Sequence, residues 1–99
     1  MKMIIVLAEI AFKGNITDEI IAESEKLMEA SLKEEGCIDY NIYNQLGKDN
    51  SFLFLEKWES ESFLKIHLKQ APFIDFHKAI GELMDKIKIS AYYSEEIEL

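Results

Sequence analysis

The sequence predicts an α+β domain of ferredoxin-like topology, with elements in the order β-α-β-β-α-β and a four-stranded antiparallel sheet. Apolar residues change along the chain between a period of two and a helical period, with glycine or proline at the changes. Two of the predicted strands are apolar on both faces and two on only one. The chain has 99 residues, 48% of them hydrophobic, so we expect residues 1–99 to form a single domain.

The first strand is predicted at residues 3–12, which are rich in Ile and Val and end at the turn 13–15. Thr17 is suited to cap a helix, and Asp18 and Glu19 favour its first turn through the helix dipole. Gly36 is expected to close this helix as the C′ residue, in a left-handed conformation. One helix face carries the apolar or small residues Ile20, Ser24, Leu27, Met28, Ser31 and Leu32.

The second half of the chain predicts two further strands, a broken helical segment and a last strand. Residues 37–45 alternate as a half-buried strand, and a turn at 47–50 leads to a third strand at 51–58. Ser60 is suited to cap a short helix at 61–69, and Pro72 starts another that runs to about residue 84. Residues 86–94 alternate again as the fourth strand. The apolar stripe of the later helix contains Phe73, Phe76, His77, Ile80 and Met84.

The distribution of apolar residues predicts how the sheet is covered. Strands one and three are apolar on both faces and are therefore expected at the centre of the sheet. The helices can cover only one face, and an exposed apolar patch on the other would be costly in a soluble monomer. We therefore expect a homodimer in which two sheets pack face to face.

Charge and hydropathy exclude several classes of partner. The net charge is −8, and all 11 cations are lysine, so nucleic acid and anionic membrane surfaces are poor partners. The longest wholly apolar run, residues 3–8, is too short for the core of a signal peptide or for a spanning helix. A cytoplasmic location is therefore expected.

Metal and nucleotide sites are also not expected. One cysteine and two histidines do not make a Cys/His zinc site, and four scattered glycines do not make a phosphate-binding loop. The acidic pairs Glu34-Glu35 and Glu95-Glu96 resemble solvated faces. Cys37, at the start of a strand, is interpreted as a small buried apolar residue, because no base is assigned to it.

A group of aromatic and polar residues predicts a ligand pocket between the sheet and the helices. Phe54, Glu56 and Trp58 share one face of the third strand, and His67 and His77 lie on the helices that cover the sheet. Such a pocket suits a planar, oxygenated aromatic such as a quinol. The structural alternatives are that Trp58 and His77 are core residues and that Glu56 pairs with Lys57 or with a neighbouring strand.

Three stretches carry a family resemblance: residues 8–14, residues 32–40, and Glu56-Lys57-Trp58-Glu59-Ser60 with His67-Leu68 and Ala71-Pro72. The elements E-G-C-x-x-Y and W-E-S-x(6)-H-L occur in register. On these motifs the sequence resembles the antibiotic biosynthesis monooxygenase family of the dimeric α+β barrel superfamily, and its small quinol monooxygenase-like members most.

The resemblance implies an oxygenase that needs no metal, flavin or haem. In such an enzyme a bound dihydroxyaromatic, or a polycyclic aromatic such as an anthrone, is deprotonated. Its anion passes one electron to O₂, and the radical pair recombines to a peroxide that collapses to a quinone. By position, Trp58 matches the family's pocket tryptophan, His67 its helix histidine and Tyr40 its second-strand aromatic. The predicted catalytic residues are Trp58, His67 and Glu56, with either His67 or Glu56 as proton acceptor. The predicted substrate-binding residues are Tyr40, Phe54, Phe73, Phe76 and His77.

Two departures and two alternatives accompany this interpretation. Phe54 stands where the family's monooxygenases tend to carry Asn, and Phe73 stands where a His usually follows the proline, which favours a less polar substrate. His77 matches the position of an iron-ligating histidine in a haem-degrading branch, so haem binding is one alternative. The other is a non-catalytic module that binds a small ligand or serves in a stress response.

Overall fold

The computed structural model describes residues 2–99 and has the predicted ferredoxin-like topology, with the helical segment before the last strand divided in two. None of the helices within residues 2–99 is long and apolar enough to cross a membrane. The elements are β1 (Lys2–Phe12), α1 (Asp18–Leu32), β2 (Cys37–Asn44), β3 (Ser51–Trp58), α2 (Glu61–His67), α3 (Ala71–Ile80), a 3₁₀ turn (Gly81–Leu83) and β4 (Met84–Glu95).

The sheet is antiparallel throughout, with the strand order β2-β3-β1-β4. The prediction that the first and third strands are central is therefore confirmed. Val6 on β1 is paired with Glu56 on β3 and with Ala91 on β4. Side chains of directly paired residues project from the same side of a sheet, so this register places the three residues on one face.

That face is the one the helices cover. Alternate residues of β1 and β3 are buried on it, together with one side of α1 and α3. On the opposite face, Ile5, Leu7, Leu53 and Leu55 are only half-buried. The core consists of Ile4, Val6, Ala8, Ile10, Phe12, Ile20, Leu27, Tyr40, Phe52, Phe54, Trp58, Phe76, Ile80 and Met84.

Side-chain caps begin the first two helices, as predicted. Thr17 Oγ1 accepts a hydrogen bond from the backbone N–H of Ile20 at 3.3 Å, and Ser60 Oγ accepts one from Phe63 at 3.3 Å. Each satisfies a backbone donor that a helix N-terminus otherwise leaves unpaired. Pro72 lies in the first turn of α3, where its missing N–H costs nothing.

Two predictions about the end of α1 are wrong. Leu32 is exposed, because 3.6 residues per turn place it about 120° around the helix from Ile20. Gly36 is not the C′ residue, since Lys33 caps the helix. Gly36 instead turns the chain into β2 with a φ of 85°, and a Cβ there would overlap the ring of Phe63.

Several other boundaries differ from the prediction. β2 ends at Asn44, one residue early. α2 ends at His67, because the backbone N–H groups of Lys69 and Gln70 donate to carbonyls three residues earlier, in turns that lead to the proline. α3 ends at Ile80 rather than at residue 84, and Met84 begins β4 opposite Phe12. An apolar residue at the end of a helical pattern does not show whether it closes the helix or opens the next strand.

Candidate functional site

A cavity of about 220 Å³ lies between the sheet and the helices α2 and α3. Aliphatic side chains from β1, β4 and the helices complete its wall, among them Ile87 and Ile89. Seven of the eight site residues predicted from the sequence line it, namely Tyr40, Phe54, Glu56, His67, Phe73, Phe76 and His77. The predicted pocket between sheet and helices is thus present.

The strand and helix geometry explains why these residues meet. Phe54 and Glu56 are two residues apart on β3 and therefore share a face, and Tyr40 on the neighbouring strand β2 is paired with Glu56. His67 is the last residue of α2 and is buried against that face. Three successive elements, β2, β3 and α2, thus bring a phenol, a carboxyl and an imidazole to one wall.

Trp58 is the predicted site residue that does not line the cavity. Its side chain is fully buried, its Nε1 donates a hydrogen bond to Glu56 Oε1 at 3.0 Å, and its ring lies 4.6 Å from the ring of His67. The indole therefore lies behind the wall, where it contacts both polar groups. Its position is suited to holding Glu56 and His67 in place.

Glu56 is a buried carboxyl, with 6% of its surface exposed. Burial raises the pKa of Glu56 to about 7, although the hydrogen bond from Trp58 and the nearby Tyr40 hydroxyl oppose the change. Lys57, the alternative partner, projects from the opposite face of the sheet because successive residues alternate. At neutral pH the carboxyl is therefore divided between its charged and neutral forms.

His67 is held between two carboxyl groups. Its Nδ1 lies 2.9 Å from Glu34 Oε1, whereas its Nε2 lies 3.9 Å from Glu56 Oε1, which is too long for a hydrogen bond. Burial lowers the pKa of His67, although the contact with Glu34 opposes the change. The imidazole is thus neutral at pH 7 and able to accept a proton, and its ring is stacked on Phe73 at 5.5 Å.

Glu34 is the residue of this cluster that the sequence interpretation missed. Glu34-Glu35 was expected to be a solvated pair, and Glu35 is indeed exposed. The prediction is wrong for Glu34, whose side chain is only 17% exposed and contacts His67. No local pattern separates the two residues, because the contact depends on how α2 packs against the turn before β2.

The other cavity residues are mainly aromatic. The ring of Phe54 lies 5.8 Å from that of Phe76, and the ring of Phe73 lies 4.6 Å from that of His77. Burial lowers the pKa of His77 and raises that of the Tyr40 hydroxyl, so both are neutral at pH 7. The wall is therefore apolar apart from a few polar groups, as is typical of small-ligand sites.

A larger, more open groove of about 640 Å³ lies between α1 and the β2–β3 hairpin, but it includes none of the predicted site residues. Within residues 2–99, no three or more His, Cys, Asp or Glu side chains are grouped in a way that could hold a metal ion.

Comparisons with known proteins agree with this fold. The chain is 35% identical over 82 residues to the "Putative monooxygenase YcnE" of Bacillus subtilis, covering 83% of this chain and 86% of that protein. The crystal structure of a conserved protein from Methanosarcina mazei is 33% identical, with a TM-score of 0.86, covering 93% of this chain and 92% of that one. A "Putative antibiotic biosynthesis monooxygenase" from Nitrosomonas europaea has the same fold at 19% identity, with a TM-score of 0.80 and 93% and 89% of the two chains covered. The model of the antibiotic biosynthesis monooxygenase family matches residues 3–79, and the chain belongs to that family.

Proposed function

We propose that this protein is a cofactor-independent monooxygenase that oxidises a small quinol-like aromatic with O₂. The observation that carries the proposal is the cavity wall, in which aromatic rings surround two groups able to accept a proton near pH 7. These groups are Glu56, with its pKa raised to about 7, and the neutral imidazole of His67. General bases are most effective when their pKa lies near the working pH.

The proposed reaction begins with removal of the proton from a substrate hydroxyl. The aromatic anion gives one electron to O₂, and the resulting radicals combine at a ring carbon that carries hydrogen to form a peroxide. Cleavage of the O–O bond leaves a carbonyl at that carbon, and the second oxygen atom leaves as water with the carbon's former hydrogen and the proton first removed from the hydroxyl. The protein's part is to bind the ring, remove the proton and exclude water.

The volume of the cavity supports a small substrate. About 220 Å³ is below the range of roughly 300–1,000 Å³ that is usual for drug-sized ligands. A single ring or two fused rings fit this volume better than a larger polycyclic molecule. The predominantly apolar wall, with Phe54 and Phe73 at two of its positions, also favours a substrate with few polar groups.

Trp58 is proposed to act through its neighbours. Its indole donates to Glu56 and packs on His67 without lining the cavity, so it positions both proton acceptors. Loss of this side chain would leave the Glu56 carboxyl without that donor and the imidazole without one of its packing surfaces.

Oxygen consumption tests the proposal directly. We expect the wild-type protein to take up O₂ with at least one member of a panel of hydroquinones, naphthols and anthrones, and the His67→Ala, Trp58→Phe double variant to be much slower. Glu35→Gln is a matched control on an exposed carboxyl and should behave as wild type. Equal rates in wild type and double variant, or no uptake in either, would refute an oxygenase and favour the alternative of a non-catalytic ligand-binding module.

The haem alternative depends on His77, which lines the cavity and whose burial lowers its pKa, leaving a neutral nitrogen. A porphyrin, however, is much larger than a ligand suited to about 220 Å³. Titration with haem distinguishes the two functions: a Soret band that is lost in His77→Ala would favour haem binding over the proposed reaction.

We also propose that the protein is a homodimer formed through the face of the sheet that the helices leave open. Ile5, Leu7, Leu53 and Leu55 lie on that face, and all four are only half-buried in a single chain. Burial of these side chains against a second sheet would remove apolar surface from water. The cytoplasmic location stays a prediction from the sequence.

A further inference from the structure

Glu34 and His67 form a close pair at one side of the cavity. His67 Nδ1 lies 2.9 Å from Glu34 Oε1, and the two side chains are 3% and 17% exposed. Oε2 of Glu34 is buried and meets no hydrogen-bond partner among residues 2–99. Within the described chain, the imidazole is therefore the side-chain donor that this carboxyl contacts.

The pairing determines which nitrogen of the ring carries the proton. A neutral imidazole has one N–H, and a carboxylate only accepts hydrogen bonds, so that N–H belongs to Nδ1. Nε2 then keeps its lone pair. It is the ring nitrogen nearer to Glu56, another residue of the cavity wall.

We infer that Glu34 is a positioning residue that holds His67 with its proton on Nδ1, so that Nε2 accepts the proton of a substrate hydroxyl in the cavity. This inference rests on the proposed function and identifies the base that function requires. The substrate O–H bond breaks, an N–H bond forms at Nε2, and the O–H electron pair stays on the substrate as the anion. The resulting imidazolium lies against the Glu34 carboxylate, which stabilises its charge.

The other titratable groups near His67 are less suited to this step. Glu56 is divided between charged and neutral forms at pH 7, and its Oε1 already accepts the indole N–H of Trp58. Tyr40, whose ring lies 5.8 Å from the imidazole, keeps its proton because burial raises its pKa. The side-chain pair of His67 and Glu34 therefore provides both an acceptor and a counter-charge.

Nitrogen NMR of the histidine side chains tests the inference without substrate. The chain contains only two histidines, so ¹⁵N-histidine labelling gives two ring spectra, and a His77→Gln variant assigns the one from His67. We expect His67 to be protonated on Nδ1 at pH 7 in the wild type. In Glu34→Gln we expect that tautomer to be lost or mixed with the other, because the amide can donate to Nδ1. Glu35→Gln, one residue away and exposed, should leave the spectrum unchanged.

The spectra also define the results that overturn the inference. A wild-type His67 protonated on Nε2 excludes Nε2 as the acceptor, and this measurement needs no substitution even if Glu34→Gln does not fold. An Nδ1 proton that persists unchanged in a folded Glu34→Gln variant excludes Glu34 as the group that holds it.

Oxygen uptake separates this inference from the proposed function. With an active substrate, we expect Glu34→Gln to lower the rate about ten- to hundredfold, part of the 10²–10⁴-fold that a general base contributes, and Glu35→Gln to leave it unchanged. Equal rates in the two variants would overturn the positioning role. Absence of uptake in the wild type would refute the proposed function, and the NMR spectra would still decide whether Glu34 sets the tautomer.

Discussion

Replacement of Glu56 by glutamine removes a buried ionisation while it retains an oxygen that can accept the hydrogen bond of Trp58 Nε1. In the folded protein, burial raises the pKa of Glu56 from the usual 4.5 to about 7. A carboxyl whose pKa is higher in the folded than in the unfolded state destabilises the fold when it ionises. We therefore expect Glu56→Gln to be more stable than the wild type in neutral and alkaline solution.

The magnitude follows from the two pKa values. At about 1.4 kcal/mol for each tenfold difference in acidity, the change from 4.5 to about 7 corresponds to about 3 kcal/mol of unfolding free energy. The favourable contribution of neutral Glu56 is complete below pH 4.5, decreases as the pH rises, and is lost above about pH 7. The variant should thus exceed the wild type by about 3 kcal/mol more at pH 8 than at pH 4.

Urea unfolding at several pH values measures this difference. Trp58 is the single tryptophan and is fully buried, so its fluorescence reports unfolding of the core beside Glu56. Subtraction of the wild-type unfolding free energy from that of the variant removes the pH-dependent contributions of His67 and His77, which both proteins share. Glu59→Gln, on an exposed carboxyl, is the control and should show no such dependence. A wild-type-to-variant difference that stays constant from pH 4 to pH 8 would refute the reasoning.

Three further predictions concern other parts of the chain. Gly36→Ala should lower the unfolding free energy, measured by urea titration, by more than about 2 kcal/mol, because of the positive φ and the overlap with Phe63. Gly14 has open space around it, so Gly14→Ala should change the unfolding free energy little in the same titration. Burial raises the pKa of the Cys37 thiol to about 11. The thiol should therefore react with a disulfide reagent at pH 8 far more slowly in the folded protein than in urea, and equal rates would contradict its burial. Light scattering at micromolar concentration should give twice the chain mass of 11.5 kDa, and Leu55→Lys, on the open face of the sheet, should reduce it to one chain; a monomeric wild type would exclude the dimer.

The fold could be predicted because its signals are local. Alternation along residues 51–58 places Phe54 and Glu56 on one face, and the apolar character of both faces of β1 and β3 places these strands at the centre. The caps Thr17 and Ser60 could be recognised from single residues before a helical pattern. Each of these features depends on neighbours within a few positions of the chain.

The details of the site could not be predicted in the same way. Glu34 and His67 are 33 residues apart, and their contact depends on the packing of α2 against the turn that precedes β2. Trp58 shares a strand face with Glu56, yet that pattern does not show that the indole lies behind the cavity wall. Alternation identifies the face of a residue, whereas depth beneath the surface depends on which helix covers that part of the strand.

The arrangement of polar groups suggests how a substrate would lie. Tyr40, Glu56 and His67 meet at one wall, whereas Phe54 and Phe76 form an aromatic pair beside it. Inside the cavity a substrate hydroxyl loses its hydrogen bonds to water. It finds partners at the polar wall but none beside the two phenylalanines, where a buried polar group without a partner costs about 1–3 kcal/mol. We therefore expect dihydroxyaromatics with both hydroxyls on one side of the ring to bind more tightly than isomers with hydroxyls at opposite ends of the molecule. A Phe54→Asn variant should reduce that preference, because its amide would give the second hydroxyl a partner.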